Sequence, residues 1–146
     1  MKFSQLDTGI KVGDVMKTNL ATIAQSETAA IAAAKMAELG VGSLLLTGLK
    51  GEITGILTEK DLVTKALAKK TTDVQINKLA TTNLITIDAN EDITKAAELM
   101  GKKNVKRLVA KSGQKIVGIL TQKDLISISP SLYELIAAKQ SGIKIN

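Results

Sequence analysis

In the first half of the chain, the spacing of apolar and polar positions alternates between the pattern of a β-strand and that of an α-helix. Short apolar runs at residues 43–47 and 52–57 flank a glycine-containing turn, which predicts a β-hairpin. Ahead of the hairpin, residues 28–39 place apolar side chains at i, i+3, i+4 and i+7, the spacing of one helical face. A further short strand is predicted at residues 21–24, and a second helix is predicted from Thr58. The predicted order is strand, helix, strand, strand, helix.

The second half of the chain repeats this pattern. With a shift of 64 residues, positions 17–23 align with positions 81–87, and the helical face is kept. One residue is then missing from the second turn, so that GILTEKDL at positions 55–62 aligns with GILTQKDL at positions 118–125. The second copy therefore predicts strands at residues 85–88, 108–111 and 115–120, followed by a helix from Thr121.

Helix boundaries are predicted from residue types that cap helices. Ser26 and Asn90 are the predicted N-caps of the first helix in each copy. Beyond the second copy, Ser129 is a predicted cap and Pro130 the first residue of a third helix that runs towards Gly142.

No Gly-, Ser- or Pro-rich segment divides the chain, so one compact α/β domain is expected. Its predicted parts are a first repeat at residues 12–70, a second repeat at residues 76–128, and a C-terminal helix and tail at residues 129–146.

Composition limits the chemistry that this chain can perform. It is 45% apolar, but its aromatic residues are only Phe3 and Tyr133, so Ile, Leu, Val and Ala must form the core. It has no cysteine and no histidine, so thiol nucleophiles, imidazole bases and the usual zinc ligands are missing, and catalysis would have to rest on Asp, Glu, Lys, Ser or Thr. We therefore expect no enzymatic activity, no bound metal and no required cofactor. No apolar run approaches the roughly 18 residues of a membrane span, and no signal-peptide pattern is present, so a cytoplasmic protein without a membrane partner is expected.

The repeated segment places a hydroxyl and a carboxylate three residues apart, where a strand gives way to a helix. These residues are Thr58 and Asp61 in the first copy, and Thr121 and Asp124 in the second. The hydroxyl and the exposed backbone N–H groups can bond a phosphate, and the carboxylate can accept hydrogen bonds from two ribose hydroxyls. The same spacing is typical of a capping box that needs no ligand. The glycine three residues before each threonine leaves room for a ligand or for another backbone.

Charge is concentrated in the second copy. The net charge of +6 favours anionic partners, and residues 99–123 contain no acid. Lys106 and Arg107 lie in this basic run, where the helix of the second copy meets its second strand. Such a run is typical of a solvated face, and it also fits a phosphate-binding role for one of these two residues. Because the aligned positions hold Gly42 and Ser43, the two copies are expected to bind phosphate unequally.

Together these segments resemble a tandem pair of CBS domains, the module named after cystathionine β-synthase. The marks of the family are Thr-Ile in the first strand of each copy, Ala-x-x-Met in each first helix, and the Gly-Ile-Leu-Thr-x-x-Asp-Leu ends. The resemblance covers about residues 12–128. It implies an α/β fold of two βαββα repeats related by a pseudo-twofold axis, with clefts where AMP, ADP, ATP or S-adenosylmethionine can bind. The prolines common after the first strand are replaced here by Gln25 and Ala89.

The resemblance also implies which residues bind the nucleotide. By position, Thr58 and Thr121 supply the hydroxyl for phosphate or ribose, and Asp61 and Asp124 supply the carboxylate for ribose. At the adenine-side positions, backbone groups contact the edge of the base and apolar side chains cover its face. The residues at those positions are Thr22, Ile23, Thr86 and Ile87.

The resemblance favours a regulatory module that binds an adenine nucleotide and acts on a separate effector protein. Bound nucleotide favours one arrangement of the repeats, and a partner with different affinities for the two arrangements responds to it. Many members of the family form dimers, and the Ala-rich helix at residues 28–39 suits a contact between two copies as well as packing on its own sheet. The alternative is a nucleic-acid-binding protein that uses the basic second repeat, although aromatic residues for base stacking are scarce.

Overall fold

The computed structural model describes residues 7–141. The chain divides into two compact units. The repeat-1 unit comprises Leu20–Leu84, and the repeat-2 unit comprises Ile85–Asn146 together with Met1–Asn19. Residues 12–19, which the sequence assigned to the first repeat, thus belong to the repeat-2 unit.

The predicted α/β class and the strand-helix-strand-strand-helix order of both repeats are confirmed. In chain order the elements are α1 (Val12–Val15), β1 (Thr22–Ala24), α2 (Ala29–Leu39), β2 (Ser43–Thr47), β3 (Ile53–Thr58), α3 (Glu59–Asp61), β4 (Thr86–Asp88), α4 (Ile93–Lys103), β5 (Arg107–Ser112), β6 (Lys115–Thr121), α5 (Gln122–Ile128) and α6 (Leu132–Ser141). Helix α3 continues as a π-helical segment, Leu62–Leu67, and a 3₁₀ turn follows at Ile76–Lys78.

Each unit contains one three-stranded sheet, with the order β1-β2-β3 in the first and β4-β5-β6 in the second. The first two strands of each sheet are parallel because a helix crosses between them, and the hairpin makes the third strand antiparallel. Both hairpins have a register shift at the equivalent place, between Leu46 and Thr47 and between Ala110 and Lys111. The duplication therefore extends to the irregularities of the sheets.

A short segment ahead of the first strand of each repeat pairs with the outer strand of a sheet. In the repeat-2 unit, the Lys17 N–H donates to the Ile119 carbonyl at 2.8 Å, and the Ile119 N–H donates to the Lys17 carbonyl at 2.9 Å. In the repeat-1 unit, Thr81 and Ile56 exchange the same two bonds at 3.0 and 2.9 Å. Each sheet is thus extended by a segment that lies far away along the chain.

The glycine in each outer strand permits this pairing. A Cβ added at Gly55 would lie 2.8 Å from the Thr81 carbonyl oxygen, and one added at Gly118 would lie 2.9 Å from the Lys17 carbonyl oxygen. Both distances are too short for a side chain. Of the two explanations for these glycines, close approach of a ligand or of another backbone, the structure shows the backbone.

Each unit buries its own core between the sheet and its helices. The repeat-1 core is centred on Ala32, Met36, Leu44, Leu46 and Leu57. The repeat-2 core also takes in the C-terminal helix, because α6 packs against α4 and buries Leu132, Leu135 and Ile136. One helix of the second repeat is therefore covered by an element that the first repeat lacks.

Two predicted N-caps are wrong. Helix α2 is capped by Thr28, whose hydroxyl accepts from the Ile31 N–H at 3.3 Å, rather than by Ser26. Helix α4 is capped by Asp92 rather than by Asn90. In both repeats a hydrogen-bonded turn first reverses the chain after the strand, so the helix begins later than the nearest capping residue suggests.

The third predicted helix also begins later, at Leu132 rather than at Pro130. Ser129 is extended and ends α5, and the carbonyls of Ser129 and Pro130 accept from Leu132 and Tyr133 in a turn that leads into α6. Among the residues that the structure describes, no helix is long and apolar enough to cross a membrane.

Candidate functional site

The first strand-to-helix junction is a complete capping box. Thr58 is the last residue of β3, and its hydroxyl accepts from the Asp61 N–H at 3.2 Å. In return, Oδ2 of Asp61 accepts from the Thr58 N–H at 3.0 Å and from the Thr58 hydroxyl at 3.1 Å. The alternative that the spacing left open, a helix cap, is therefore present at this junction.

The second junction is built in the same way. The Thr121 hydroxyl accepts from the Asp124 N–H at 3.1 Å, and Oδ2 of Asp124 accepts from the Thr121 N–H at 3.1 Å. Capping uses only one carboxylate oxygen of each aspartate. The second oxygen, Oδ1, is left for another partner.

That second oxygen distinguishes the two junctions. Oδ1 of Asp61 lies 2.9 Å from Nζ of Lys65, which also donates to the Leu79 carbonyl at 3.0 Å. Oδ1 of Asp124 lies 3.8 Å from Nζ of Lys17, beyond hydrogen-bonding distance. Lys17 also has a more exposed side chain, 67% against 48% for Lys65. Asp61 is thus held by a direct ion pair, whereas Asp124 meets a loose one.

The two lysines come from different elements and have no counterpart in the other unit. Lys65 lies in the π-helical segment four residues after Asp61, and the aligned residue of the second repeat is Ile128. Lys17 lies in the paired segment ahead of β1, and its aligned residue is Thr81. Sequence reasoning missed both lysines, although the i, i+4 spacing of Asp61 and Lys65 is a visible signal of an ion pair on a helix.

The two junctions also differ in the residue beside the threonine. Arg107, at the start of β5, is paired with Thr121, whereas Ser43 is paired with Thr58. Lys106 is exposed, and its carbonyl accepts from the first helical N–H of α5, on Gln122. The structure therefore brings Arg107 next to the second junction and places no cation at the equivalent position of the first.

The residues assigned to the adenine lie apart from the junction in the same sheet. Thr22 and Ile23 are in β1, on the opposite edge from β3, and Thr86 and Ile87 have the same place in β4. The side chains of Ile23 and Ile87 are buried in the cores of their units. The Thr22 carbonyl accepts a hydrogen bond from Nζ of Lys35. The Ile23 carbonyl accepts from the Thr47 hydroxyl at 3.4 Å, so the apolar side chains and the two carbonyls of the first strand are already engaged within the unit.

Two units with the same strand order, each with a Thr-x-x-Asp junction in front of a helix, define a duplicated α/β module. The model of the CBS domain matches residues 12–68 and 76–131, and the chain belongs to this family, with two copies of the domain.

Relatives of the chain include proteins of archaea and bacteria. An uncharacterized protein of Methanopyrus kandleri is 32% identical over 130 residues, which are 87% of this chain and 66% of that protein. The chain thus spans slightly less than two thirds of that relative. Hypoxic response protein 1 of Mycobacterium tuberculosis is 30% identical over 114 residues, 77% of this chain and 80% of that protein.

Solved structures share the fold. An uncharacterized conserved protein from Pyrococcus horikoshii has a TM-score of 0.80 at 26% identity, covering 85% of this chain and 95% of its own. A CBS domain protein from Pyrobaculum aerophilum, complexed with AMP, has a TM-score of 0.76 at 24% identity, and the match covers 86% of this chain and 98% of that protein. A CBS domain pair in complex with 5′-methylthioadenosine and S-adenosyl-L-methionine has a TM-score of 0.74 at 24% identity, covering 84% and 97%.

Proposed function

We propose that this CBS pair binds an adenine nucleotide and regulates a separate effector protein. The observation that carries the proposal is the second junction. Within the described residues, Oδ1 of Asp124 accepts no hydrogen bond, and its neighbour Nζ of Lys17 is 3.8 Å away. A partly buried carboxylate with one open oxygen can accept from a ribose hydroxyl while its other oxygen caps the helix.

Charge around this junction favours a phosphorylated ligand. Arg107 is paired with Thr121, and Lys17 lies on the other side near Asp124. Cations attract the phosphates of AMP, ADP or ATP, and they repel the sulfonium group of S-adenosylmethionine. The structural relatives include one protein complexed with AMP and one complexed with S-adenosyl-L-methionine. Of these two kinds of ligand, we favour the nucleotide.

A regulatory role fits the chemistry of the chain better than catalysis. Neither cysteine nor histidine is present, and both Asp-Thr pairs already serve as helix caps. A ligand that binds two forms of the module unequally shifts the balance between them, and an effector that distinguishes the forms responds. Binding alone is then sufficient for function, and the effector is a separate protein.

The proposal is tested by titrating AMP into nucleotide-free protein in a calorimeter. We expect a dissociation constant in the micromolar range, which corresponds to a binding free energy of about −8 kcal/mol. The informative variant is Asp124→Asn, because the amide oxygen can still accept from the Thr121 N–H while the second carboxylate oxygen is lost. We expect the tight binding of AMP to weaken at least about tenfold, the effect of losing one hydrogen bond to a charged group.

Asp14→Asn is the matched control. Asp14 also accepts a hydrogen bond from the backbone at the start of a helix, with the Lys11 N–H donating to Oδ2 at 2.9 Å, and it is not part of a repeated junction. Its substitution should leave AMP binding unchanged. If nucleotide-free protein takes up no adenine compound, the proposal fails. If instead the protein binds single-stranded DNA or RNA with strong salt dependence, the basic second repeat has the nucleic-acid role.

A further inference from the structure

We infer that Lys65 acts as an internal competitor for ribose, so that the first nucleotide binds at the Thr121–Asp124 junction and the Thr58–Asp61 junction is the weaker site. This inference rests on the proposed function and adds a residue that decides between the two sites. It predicts stepwise binding of nucleotide rather than two equal events.

The geometry at Asp61 leaves little room for a ribose hydroxyl. Oδ2 accepts two hydrogen bonds from Thr58, and Oδ1 is 2.9 Å from Nζ of Lys65. A ribose diol that binds a carboxylate needs acceptor positions on it, and Lys65 occupies the favourable one. At Asp124 the corresponding oxygen faces a lysine at 3.8 Å, so the same position is open.

Lys65 is also anchored from a second side. Its Nζ donates to the Leu79 carbonyl at 3.0 Å, so the ammonium group bridges Asp61 and the backbone after the 3₁₀ turn. Asp61 is 8% exposed and Leu79 is 7% exposed. A ligand at Asp61 must displace a cation from two buried acceptors at once, and each acceptor loses a bond that water can replace only in part.

The second repeat has no cation at the position aligned with Lys65. The position aligned with Lys65 is Ile128, four residues after Asp124 in α5, and an aliphatic side chain cannot bond a carboxylate. Ile128 is 49% exposed, so it is not part of the repeat-2 core. The i, i+4 ion pair on the capping aspartate therefore depends on one exposed position in each repeat, and lysine can be removed from one and added at the other.

The two single substitutions, Lys65→Met and Ile128→Lys, are made in separate proteins. AMP binding to each is measured by calorimetry and native mass spectrometry. Wild type should show one tight and one weak AMP per chain. Lys65→Met keeps the aliphatic stem and should tighten the weak site about tenfold, the change that about 1.4 kcal/mol produces. Ile128→Lys should weaken the tight site by a similar factor, because the new lysine reaches Asp124 at i, i+4.

Two further variants separate competition from general charge. Lys65→Arg keeps the ion pair and should keep the weak site weak. Lys69→Met removes the same charge from an exposed position after the π-helical segment and should change neither site.

The outcomes distinguish the inference from the proposed function. If wild type binds AMP at two equal sites and Lys65→Met changes neither, the nucleotide-binding function stands and the inference is wrong. If Lys65→Met weakens binding, Lys65 contacts the ligand phosphate and the inference is also wrong. If wild type and every variant fail to bind AMP, the proposed function itself is wrong.

Discussion

The donors around each carboxylate decide what that residue does in this chain. Asp61 and Asp124 both cap a helix, and a nearby lysine makes the remaining oxygen of Asp61 unavailable. Asp92 is a third capping carboxylate, and it collects more donors than either of the others. It accepts from the N–H groups of Thr8, Gly9 and Thr94 at 2.9 to 3.0 Å, and from the Thr8 hydroxyl at 3.0 Å.

These donors make Asp92 a pH-sensitive contact. Burial raises the pKa of Asp92, but hydrogen bonds from Thr94, Asp7 and Thr8 outweigh it and lower the pKa from 3.8 to about 2. Because the pKa is lower in the folded state than in the unfolded state, the stabilisation is complete above about pH 4 and is lost as the pH falls towards 2. Allowing for solvent screening, we expect about 1 kcal/mol of unfolding free energy to disappear over this range.

Urea unfolding between pH 5 and pH 2 measures this contribution. Asp92→Asn should be less stable than wild type at pH 5 and should lose less stability on acidification. Asp73→Asn, which changes an exposed carboxylate of the loop before the 3₁₀ turn, is the control. Equal acid dependence in wild type and Asp92→Asn would show that these hydrogen bonds do not stabilise the folded state.

Among the elements, the clearest difference between the repeats is the helix α6. It packs on α4 of the second repeat, and Gly101 lies at this contact. A Cβ added there would lie 2.7 Å from the Ile136 carbonyl oxygen and 2.5 Å from the Lys139 Cβ. The absence of a side chain at Gly101 therefore lets the two helices touch.

Gly101→Ala should destabilise the protein by about 1 to 3 kcal/mol, because the added methyl group has no space. A loss of stability is the informative direction, since alanine is intrinsically a better helix former than glycine by about 1 kcal/mol. Lys95 lies on the exposed side of α4, so Lys95→Gly is the control. It should lose only the helix propensity, about 1 kcal/mol. Chemical unfolding of the three proteins gives the comparison, and a more stable Gly101→Ala would show that α6 does not pack closely on α4.

At the scale of the whole molecule, the first repeat exposes helix positions whose counterparts in the second repeat are buried. In α4, Thr94, Ala97 and Gly101 are buried; the aligned residues in α2, Ala30, Ala33 and Ala37, are exposed. The same unit also exposes half or more of Ile31, Val63 and Leu67. The first repeat thus leaves exposed the helix face that is buried in the second repeat. We expect a second copy of the chain to cover it.

Light scattering on the purified protein should therefore give the mass of two chains at tens of micromolar. Ala33→Glu places a charge in the contact and should yield a folded monomer, because an unpaired charge is costly in an apolar interface. Lys95→Glu, on the exposed side of α4, is the control and should remain a dimer. A wild-type mass of one chain would exclude this dimer, and a dimeric Ala33→Glu would place the contact elsewhere.

Much of the fold could be predicted from the sequence because the relevant signals are local. Apolar periodicity placed the strands and first helices of both repeats, and the GILT segments marked both junctions, since side-chain spacing reflects the helix or strand that carries it. The duplication of that pattern indicated the family. The predicted N-caps were wrong, because Ser26 and Asn90 are residue types that cap helices but lie two residues before the true caps. Only the turn geometry decided in favour of Thr28 and Asp92.

Contacts between distant segments were decided by the tertiary structure alone. The sequence does not state that Lys17 pairs with Ile119, that α6 covers α4, or that Thr8 bonds the carboxylate of Asp92. Each depends on which strand edge, helix face or carboxylate oxygen is still unpaired after the local elements have formed. A one-dimensional pattern describes the surface that each element offers, and three-dimensional packing determines which surfaces meet.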